Sequence, residues 1–512
     1  MRNRILLAIG ALIVACIAYA GLVLYPSHQF KIAVDQTLQK LPPDISVTYQ
    51  SAHYSPMTHR ASLRGVAIRP AATPNVDIAI DEVTVSNPNM DFMSSWSAAA
   101  ANPAAVAPDQ PLPLCDEFSL NGVTFHTGTV SATMASGSVK NLRVYPGPLL
   151  QFDMAGFIAA QNALLNRAQP PTQEDLFPIF RSEAPLLAGF GSDHFTITDI
   201  HGTGKVPAAP SSPETDVVFG VKQEEGDGYD RGMYKGASAQ GFMEQVGPLG
   251  TFTADKFSIS AIDFRKPLAL LLDAQSFTPA MLDGLTLGQF EIDGMTFQPA
   301  DGAPTALGSF TLSNINFTQG LPVSGEFSYS GLKLTRAVVT NPQILVFFDK
   351  LELDTATVSL SAAFAWDLDK KHASIHDVKF KVDELGALDL SVDYSDVDSV
   401  SAWQQQARLA HAILRYDDAS LAGRALKVPG GDPAAFRDQL IAMVRQHATA
   451  YGNSPAIAAS ANAIETFIGS PHSLTLELTP PSPVLITTLE TAGTMPPADL
   501  VALLGMTVSA NQ

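Results

Sequence analysis

Four groups of residues in this chain have types and spacings that chemistry can use. His372 and His376 stand four apart with Asp377 beside them. On a strand, positions i and i+4 share a face, so two imidazoles and a carboxylate are offered to a metal. Asp193, His194, Asp199 and His201 form a looser group of the same kind. The run Gln223-Glu224-Glu225-Gly226-Asp227-Gly228-Tyr229-Asp230-Arg231-Gly232 has the composition of a calcium loop. It lacks the alternating carboxylates and the closing glutamate of an EF-hand, and reads as a solvated acidic turn. Tyr416-Asp417-Asp418, near Ser420 and Arg424, pairs carboxylates as acid–base chemistry requires. Its simpler account is a strand end followed by a capped helical turn.

None of the four amounts to a complete site. There is no Gly-x-Ser-x-Gly elbow, and Gly202-Thr203-Gly204-Lys205 lacks the first glycine and the following Ser/Thr of a phosphate loop. The reading is a protein without catalytic residues, metal or cofactor. An exported hydrolase using Asp417, Asp418 and Asp199 is the rival from another class.

Composition bounds the elements that position these residues. The 512 residues are 46% apolar and 16% charged, with 36 Gly and 36 Pro, which excludes wholesale disorder and disfavours an all-helical chain. A net charge of −19 excludes a general nucleic-acid binder. Two cysteines exclude a disulfide framework.

Residues Ile5 to Tyr25 form an apolar run behind Arg2 and Arg4, closed by Pro26. That length matches the ~20 residues a helix needs to cross a bilayer. The basic N-terminus favours an N-in signal anchor with the body outside the inner membrane. Two alternatives compete: cleavage after Ala18-Tyr19-Ala20, or a lipoprotein box at Ile13-Val14-Ala15-Cys16. All three export the body. Residues 1–70 carry net charge +5 and the remainder −24, which suits a body standing off an anionic membrane.

A short amphipathic stretch (Phe30, Val34, Leu38, Leu41) leads into β-type segments Ile45–Tyr49, Ala61–Ile68 and Val76–Val85. Ser94–Pro113 (SSWSAAAANPAAVAPDQPLP) reads as a linker or surface loop. From Cys115 to about Val400 a pattern recurs, with apolar residues at offsets 0, 2, 5 and 7 around a polar or glycine pair. Phe118-Leu120-Val123-Phe125 flank Asn121-Gly122, and Phe257-Ile259-Ile262-Phe264 flank Ser260-Ala261. Phe290-Ile292-Met295-Phe297 flank Asp293-Gly294, and Phe310-Leu312-Ile315-Phe317 flank Ser313-Asn314. Ala61–Ile68, Ile78–Val85, Leu332–Val339, Leu351–Val358, Ala373–Phe380 and a truncated Phe195–Ile200 extend the set. Strand alternation has period two, so a step of three flips the face unless a bulge or tight bend absorbs a residue. The pair at the centre is therefore predicted to bend, and the strand to keep one apolar face.

The tail predicts helices over Asp432–Ala448, Pro455–Phe467 and Ala498–Leu504, with Asp432 as N-cap, Pro433 in the first turn, and a strand at Ser473–Leu478. Gln404–Leu414 opens as a helix, or Ala410–Tyr416 forms a strand. The segments are thus an anchor over 1–26, a membrane-proximal β-rich segment over 27–92, a linker over 93–113, a β body over 114–400 and a mixed α/β cap over 401–512. The fold class is mainly β with an α+β C-terminal part. Bent antiparallel strands form a curved, groove-like or sandwich sheet behind an N-terminal transmembrane helix.

The anchor, the segment LPPDISVTYQSAHYSPMTHRASLRGVAI (Leu41–Ile68), the bent strands and the tail YDDASLAGRALK (Tyr416–Lys427) together resemble the AsmA-like group. They are also similar to related single-anchor periplasmic proteins of Gram-negative bacteria. The resemblance implies strands stacked into a long curved groove with an apolar inner face, and a part in moving or ordering lipids between membranes. The 94–113 segment and the helical tail depart from a simple groove. On this reading Phe257, Ile259, Ile262, Phe264, Phe290, Ile292, Phe297, Phe310, Leu312, Ile315 and Phe317 line a lipid-holding face. The partners are inner-membrane lipids and other envelope proteins, without nucleic acid. The alternative is a tethered structural or interaction module whose apolar faces close into an ordinary core.

Overall fold

The computed structural model describes residues 30–39, 45–70, 76–103, 107, 109–153, 156–157, 160, 173–207, 214–399, 403–427, 432–451, 454–492 and 495–512. The predicted anchor at 5–25 lies outside these residues. Among those described, no helix is long and apolar enough to cross a membrane. The protein is mainly β, its paired strands are antiparallel, and the chain divides into two compact units, Met1–Phe290 and Glu291–Gln512.

In the first unit, β1 (Ile45–Thr48) and β2 (Ser51–Ser55) pair along one edge of β3 (Arg60–Pro70). A meander continues through β4 (Val76–Pro88), β5 (Leu112–Thr127), β6 (Val130–Val144), β7 (Phe190–Pro207), β8 (Glu214–Asp230), β9 (Met233–Val246) and β10 (Gly250–Asp263). Each strand pairs with the next.

Two lines of bends cross this sheet. In the first line Gly65, Asp81, Gly122, Ala135, Asp199, Lys222, Gly241 and Asp255 stand opposite one another on β3 to β10, where regular pairing is skipped. A second line, six residues along each strand, joins Asn87, Asp116, Asn141, Asp193, Gly228, Lys235 and Ala261 on β4 to β10. The left-handed residues alternate between the lines. Gly65, Gly122, Asp199 and Gly241 have φ between 50° and 63° in the first. Asn87, Asn141, Gly228 and Ala261 have φ between 45° and 58° in the second. Each of these strands therefore carries one left-handed residue, facing an ordinary one on its neighbour.

The bends do what the step of three requires. Ala61, Leu63, Val66 and Ile68 of β3 pair with Val85, Val83, Ile80 and Ile78 of β4. Those pair in turn with Phe118, Leu120, Val123 and Phe125 of β5. All twelve side chains are buried on one face. Burying a Val, Leu, Ile or Phe contributes roughly 1.5–3 kcal/mol, so this block is the core of the unit. Helix Phe30–Leu38, the predicted amphipathic stretch, lays Phe30 and Val34 into it, with the Phe30 ring 6.3 Å from Tyr54. A helix, rather than the second layer of a sandwich, covers this part of the face.

Farther along the meander, size complementarity replaces uniform bulk. The Phe195 ring lies over Gly226 across β7–β8, and the Phe219 ring over Gly202 on the same pair. Aromatic cover compensates for what a bare glycine costs a strand.

Two sequence readings need correction here. The Ala/Pro/Ser segment is not a plain loop: helix Phe92–Ala101 occupies its first half, and β5 begins at Leu112. Alanine is the best helix former, and Phe92 anchors the helix, stacked 5.9 Å from Trp96. The acidic run 223–232 is not a turn either. It is the end of β8, with only Arg231-Gly232 forming the hairpin to β9.

β11 (Thr286–Gln298) runs across the division at 290/291 and carries the predicted left-handed Gly294, φ 61°. In the second unit a meander runs through β12 (Thr305–Thr318), β13 (Leu321–Thr335), β14 (Thr355–Asp367), β15 (His372–Val382), β16 (Gly386–Ser395) and β17 (Arg408–Asp418). β17 then pairs with β18 (Ser473–Leu478) and β19 (Val484–Leu485), and β18 with β20 (Met506–Ala510). Bends here are true bulges. At Asn314, φ 54°, the register passes from Ser313/Glu326 to Asn316/Ser324. At Asp377, φ 53°, it passes from Ile375/Val392 to Val378/Leu390. In each case two residues oppose one.

The windows Leu332–Val339 and Leu351–Val358 are not bent strands. β13 ends at Thr335 and β14 starts at Thr355, with helix Pro342–Lys350 between them. Tail helices form at Pro433–Ala450, Pro455–Gly469 and Pro497–Leu504. Asp432 caps the first, accepting from the Ala434 N–H at 3.0 Å. Of the two readings for 404–416, the strand prevails: only Trp403–Gln406 is helical before β17.

Candidate functional site

The second unit carries a wide apolar surface assembled by register. Phe310, Tyr329, Leu360, Phe380, Leu388, Tyr416, Leu474 and Ala510 form one cross-strand row from β12 to β20. Phe364, Ile375, Val392, Ala412, Leu478 and Met506 form a second row from β14 to β20. Between them lie Val378, Leu390, Leu414, Leu476 and Val508. Directly paired residues share a face, so these rows make one continuous surface.

The C-terminal helices cover only one end of it. Phe467 of helix Pro455–Gly469 meets Tyr416 edge-on at 6.0 Å. Leu500, Leu503 and Leu504 of helix Pro497–Leu504 pack with Ala412, Leu478 and Met506. Over β12–β16 the face stays half open: Phe380 is 41% and Leu388 38% exposed, and Phe310, Phe327, Tyr329 and Leu360 are half-buried. Ring pairs stiffen the open part, Phe310 with Phe327 at 5.6 Å and Phe327 with Tyr329 at 6.0 Å.

The predicted lining residues are distributed as follows. Phe257, Ile259 and Ile262 lie on β10 opposite Ala239, Ala237 and Tyr234, and Phe257 meets the Phe242 ring at 5.2 Å. Phe264 precedes helix Arg265–Asp273 and reaches Tyr229 at 6.5 Å. Phe290, Ile292 and Phe297 sit on β11, Phe297 exposed and the others half-buried. On β12, Phe310 and Leu312 face Tyr329 and Phe327, Ile315 lies in the bulge beside Asn314, and Phe317 pairs with Pro322 at the hairpin. Every one of these is half-buried or exposed. Sequence reasoning missed Phe242, Phe327, Tyr329, Leu360 and Leu388. Leu388 was signalled by the alternation Leu388, Leu390, Val392, Tyr394.

The chemical groups noted in the sequence are dispersed into pairings that hold strands. His372 faces Asp393 at 3.4 Å, while His376 takes Asp377 at 2.7 Å. Asp193 accepts from Arg143 at 2.7 Å and Asn141 at 2.8 Å, which holds its carboxyl below the usual range. His194 takes Asp227 at 2.6 Å and Thr196 at 3.0 Å, and Asp199 supplies a bend. Among the described residues no group of three or more His, Cys, Asp or Glu is arranged to hold a metal.

The Tyr416-Asp417-Asp418 cluster is a cap, as its simpler account has it. Asp418 accepts from the Tyr416 hydroxyl at 2.6 Å and the Ala422 N–H at 2.8 Å. Asp417 takes the Arg415 guanidinium, and the Leu385 carbonyl accepts from the N–H groups of Ala419, Ser420 and Leu421. Cys115, buried beside Asp116 and Glu117, has its thiol pushed up to about 12, first by burial and then by those charges.

No curated protein matches the chain. A family model described as "Uncharacterized protein" matches residues 379–511, from within β15 through β20 and the helices covering that end of the apolar face.

Proposed function

We propose that this chain is a non-enzymatic, inner-membrane-anchored periplasmic protein that holds lipid on the apolar face of β12–β16. It would serve envelope lipid homeostasis or assembly, with inner-membrane lipids and other envelope proteins as its partners. The observation that carries the reading is the row Phe310–Tyr329–Leu360–Phe380–Leu388, continuous across five strands and only partly covered. A packed core would bury these side chains, whereas an acyl chain is a linear apolar ligand that such a row suits. Support for the anchor comes from the Ile5–Tyr25 run between Arg4 and Pro26.

Lipid extraction and mass spectrometry on the purified exported portion test this directly. Phospholipid in near-stoichiometric amount is expected, and its absence counts against the groove. A mature N-terminus at Gly21 or Cys16 would overturn the anchor.

The second reading, an interaction module without a ligand, has one observation in its favour. Ile344, Val346 and Phe347 stand 41%, 50% and 40% exposed on the nine-residue helix Pro342–Lys350. Absence of lipid together with loss of a co-purifying envelope protein in Val346→Asp would favour it.

A further inference from the structure

The opposite face of the same strands holds a polar depression. Thr311, Ser328 and Ser361 form one cross-strand row on β12–β14, and Ser313, Glu326, Ala363 and His376 the next on β12–β15. Between the bulges at Asn314 and Asp377 the surface hollows to about 370 Å³, within the range of small-molecule sites.

The donors and acceptors in the hollow are unbalanced. Glu326 accepts from Ser313 at 3.2 Å and Asn314 at 2.9 Å, and among the described residues no cationic side chain pairs with it. His376 lies 2.7 Å from Asp377 through Nδ1, so that nitrogen donates to the carboxylate and Nε2 is left to meet a ligand hydroxyl. The Thr311 and Ser328 hydroxyls have no hydrogen-bond partner among the described residues and serve either way. The hollow therefore presents acceptors and uncompensated negative charge on a hydroxyl-lined wall.

We propose that this depression binds a small hydroxylated ammonium compound of amino-sugar size. The ammonium meets Glu326, and the ligand hydroxyls meet Thr311, Ser328 and His376 Nε2. A neutral polyol satisfies the hydrogen bonds and leaves the Glu326 charge unmatched. A phosphorylated sugar is repelled by Glu326 and Asp377. The site lies on the face away from the apolar rows, so it stands or falls independently of lipid binding.

Calorimetric titration of the chain with glucosamine, glucose and glucose 6-phosphate tests it. Saturable glucosamine binding at least tenfold tighter than glucose is expected, with none for the phosphate. Glu326→Gln keeps an acceptor for Asn314 and removes the charge, and it should weaken glucosamine at least tenfold. Thr311→Val, which leaves Glu326 untouched, should weaken glucosamine and glucose alike. Equal affinity for glucose and glucosamine, an unchanged Glu326→Gln, or no saturable binding of any probe overturns the proposal.

Discussion

Asn141 on β6 donates its side-chain amide to Asp193 on β7 at 2.8 Å while its own backbone is left-handed at φ 50°. One residue thus makes the bend and ties it to the facing strand. The Asn87–Asp116 pair on β4–β5 repeats the arrangement, also at 2.8 Å. Asparagine tolerates this conformation and a β-branched residue does not. Asn141→Val is expected to cost on the order of 1–3 kcal/mol in denaturant unfolding, and Asn141→Gly well under half of that. The hydrogen bonds from Arg143 and Asn141 lower the Asp193 pKa from its ordinary 3.8. Their contribution is therefore complete above that value and lost as pH falls below it. The carboxylate is over half exposed, so the effect is small.

Gly122 carries a second constraint, because the Asp81 side chain occupies the place a Cβ would take. With φ at 59° as well, Gly122→Ala should destabilise by roughly 1–3 kcal/mol. Removing the obstruction with Asp81→Gly should recover the steric share and leave the conformational share. A double-mutant cycle with no coupling between the two sites would show that the line of bends is not packed as described.

Cys115 gives a prediction in pH. An unfolded thiol ionises near 9, whereas the folded one keeps its proton up to about 12. Unfolding therefore becomes more favourable as pH rises through 9 and continues so towards 12. At pH 8 Cys115 of the native protein should react with a thiol reagent only at the rate of opening, and Cys115→Ala should lessen the loss of stability that begins near pH 9. Rapid stoichiometric labelling of Cys115 itself in the native chain, located by peptide mapping, would contradict the buried placement.

Phe125 and Phe310 separate the two kinds of apolar position. Phe125 is fully buried in the β3–β5 block, so Phe125→Ala should cost about 3–5 kcal/mol. Phe310 is half-buried beside Phe327, and Phe310→Ala should cost about 1–2 kcal/mol by chemical denaturation. Equal losses would mean that β12 lies in a closed core.

Much of the bending was legible. The left-handed residue falls at offset four of the windows beginning at Ala61, Phe118, Phe195, Phe257, Phe290, Phe310 and Ala373. The strand Ser473–Leu478 and the Asp432 cap were legible too, because period-two alternation and an Asp-Pro start are local signals. Apart from Ala261, the second line of bends was not. On β9 the apolar face is built from Ala237, Ala239 and Phe242, and alanine contributes almost no hydrophobic contrast. Leu351–Val358 fits the window by composition, yet a turn at Glu352 breaks it before β14. The open part of the apolar face was half legible. Phe310 and Leu312 stood in the pattern and Leu388 in the alternation of its own strand, but Tyr329 and Leu360 join the face only through pairing register, a property of neighbouring strands rather than of one segment.

The central claim is that the open row on β12–β16 carries lipid, and paired measurement of bound lipid and melting temperature tests it most directly. Phe380 and Leu388 face each other on β15–β16 and are the most exposed members of the row. The parent chain should purify with phospholipid. Phe380→Asp combined with Leu388→Asp should remove most of it and leave the melting temperature within a few degrees, since neither residue is buried. A parent chain free of lipid, or a double variant that retains the parent's lipid content, would contradict the account.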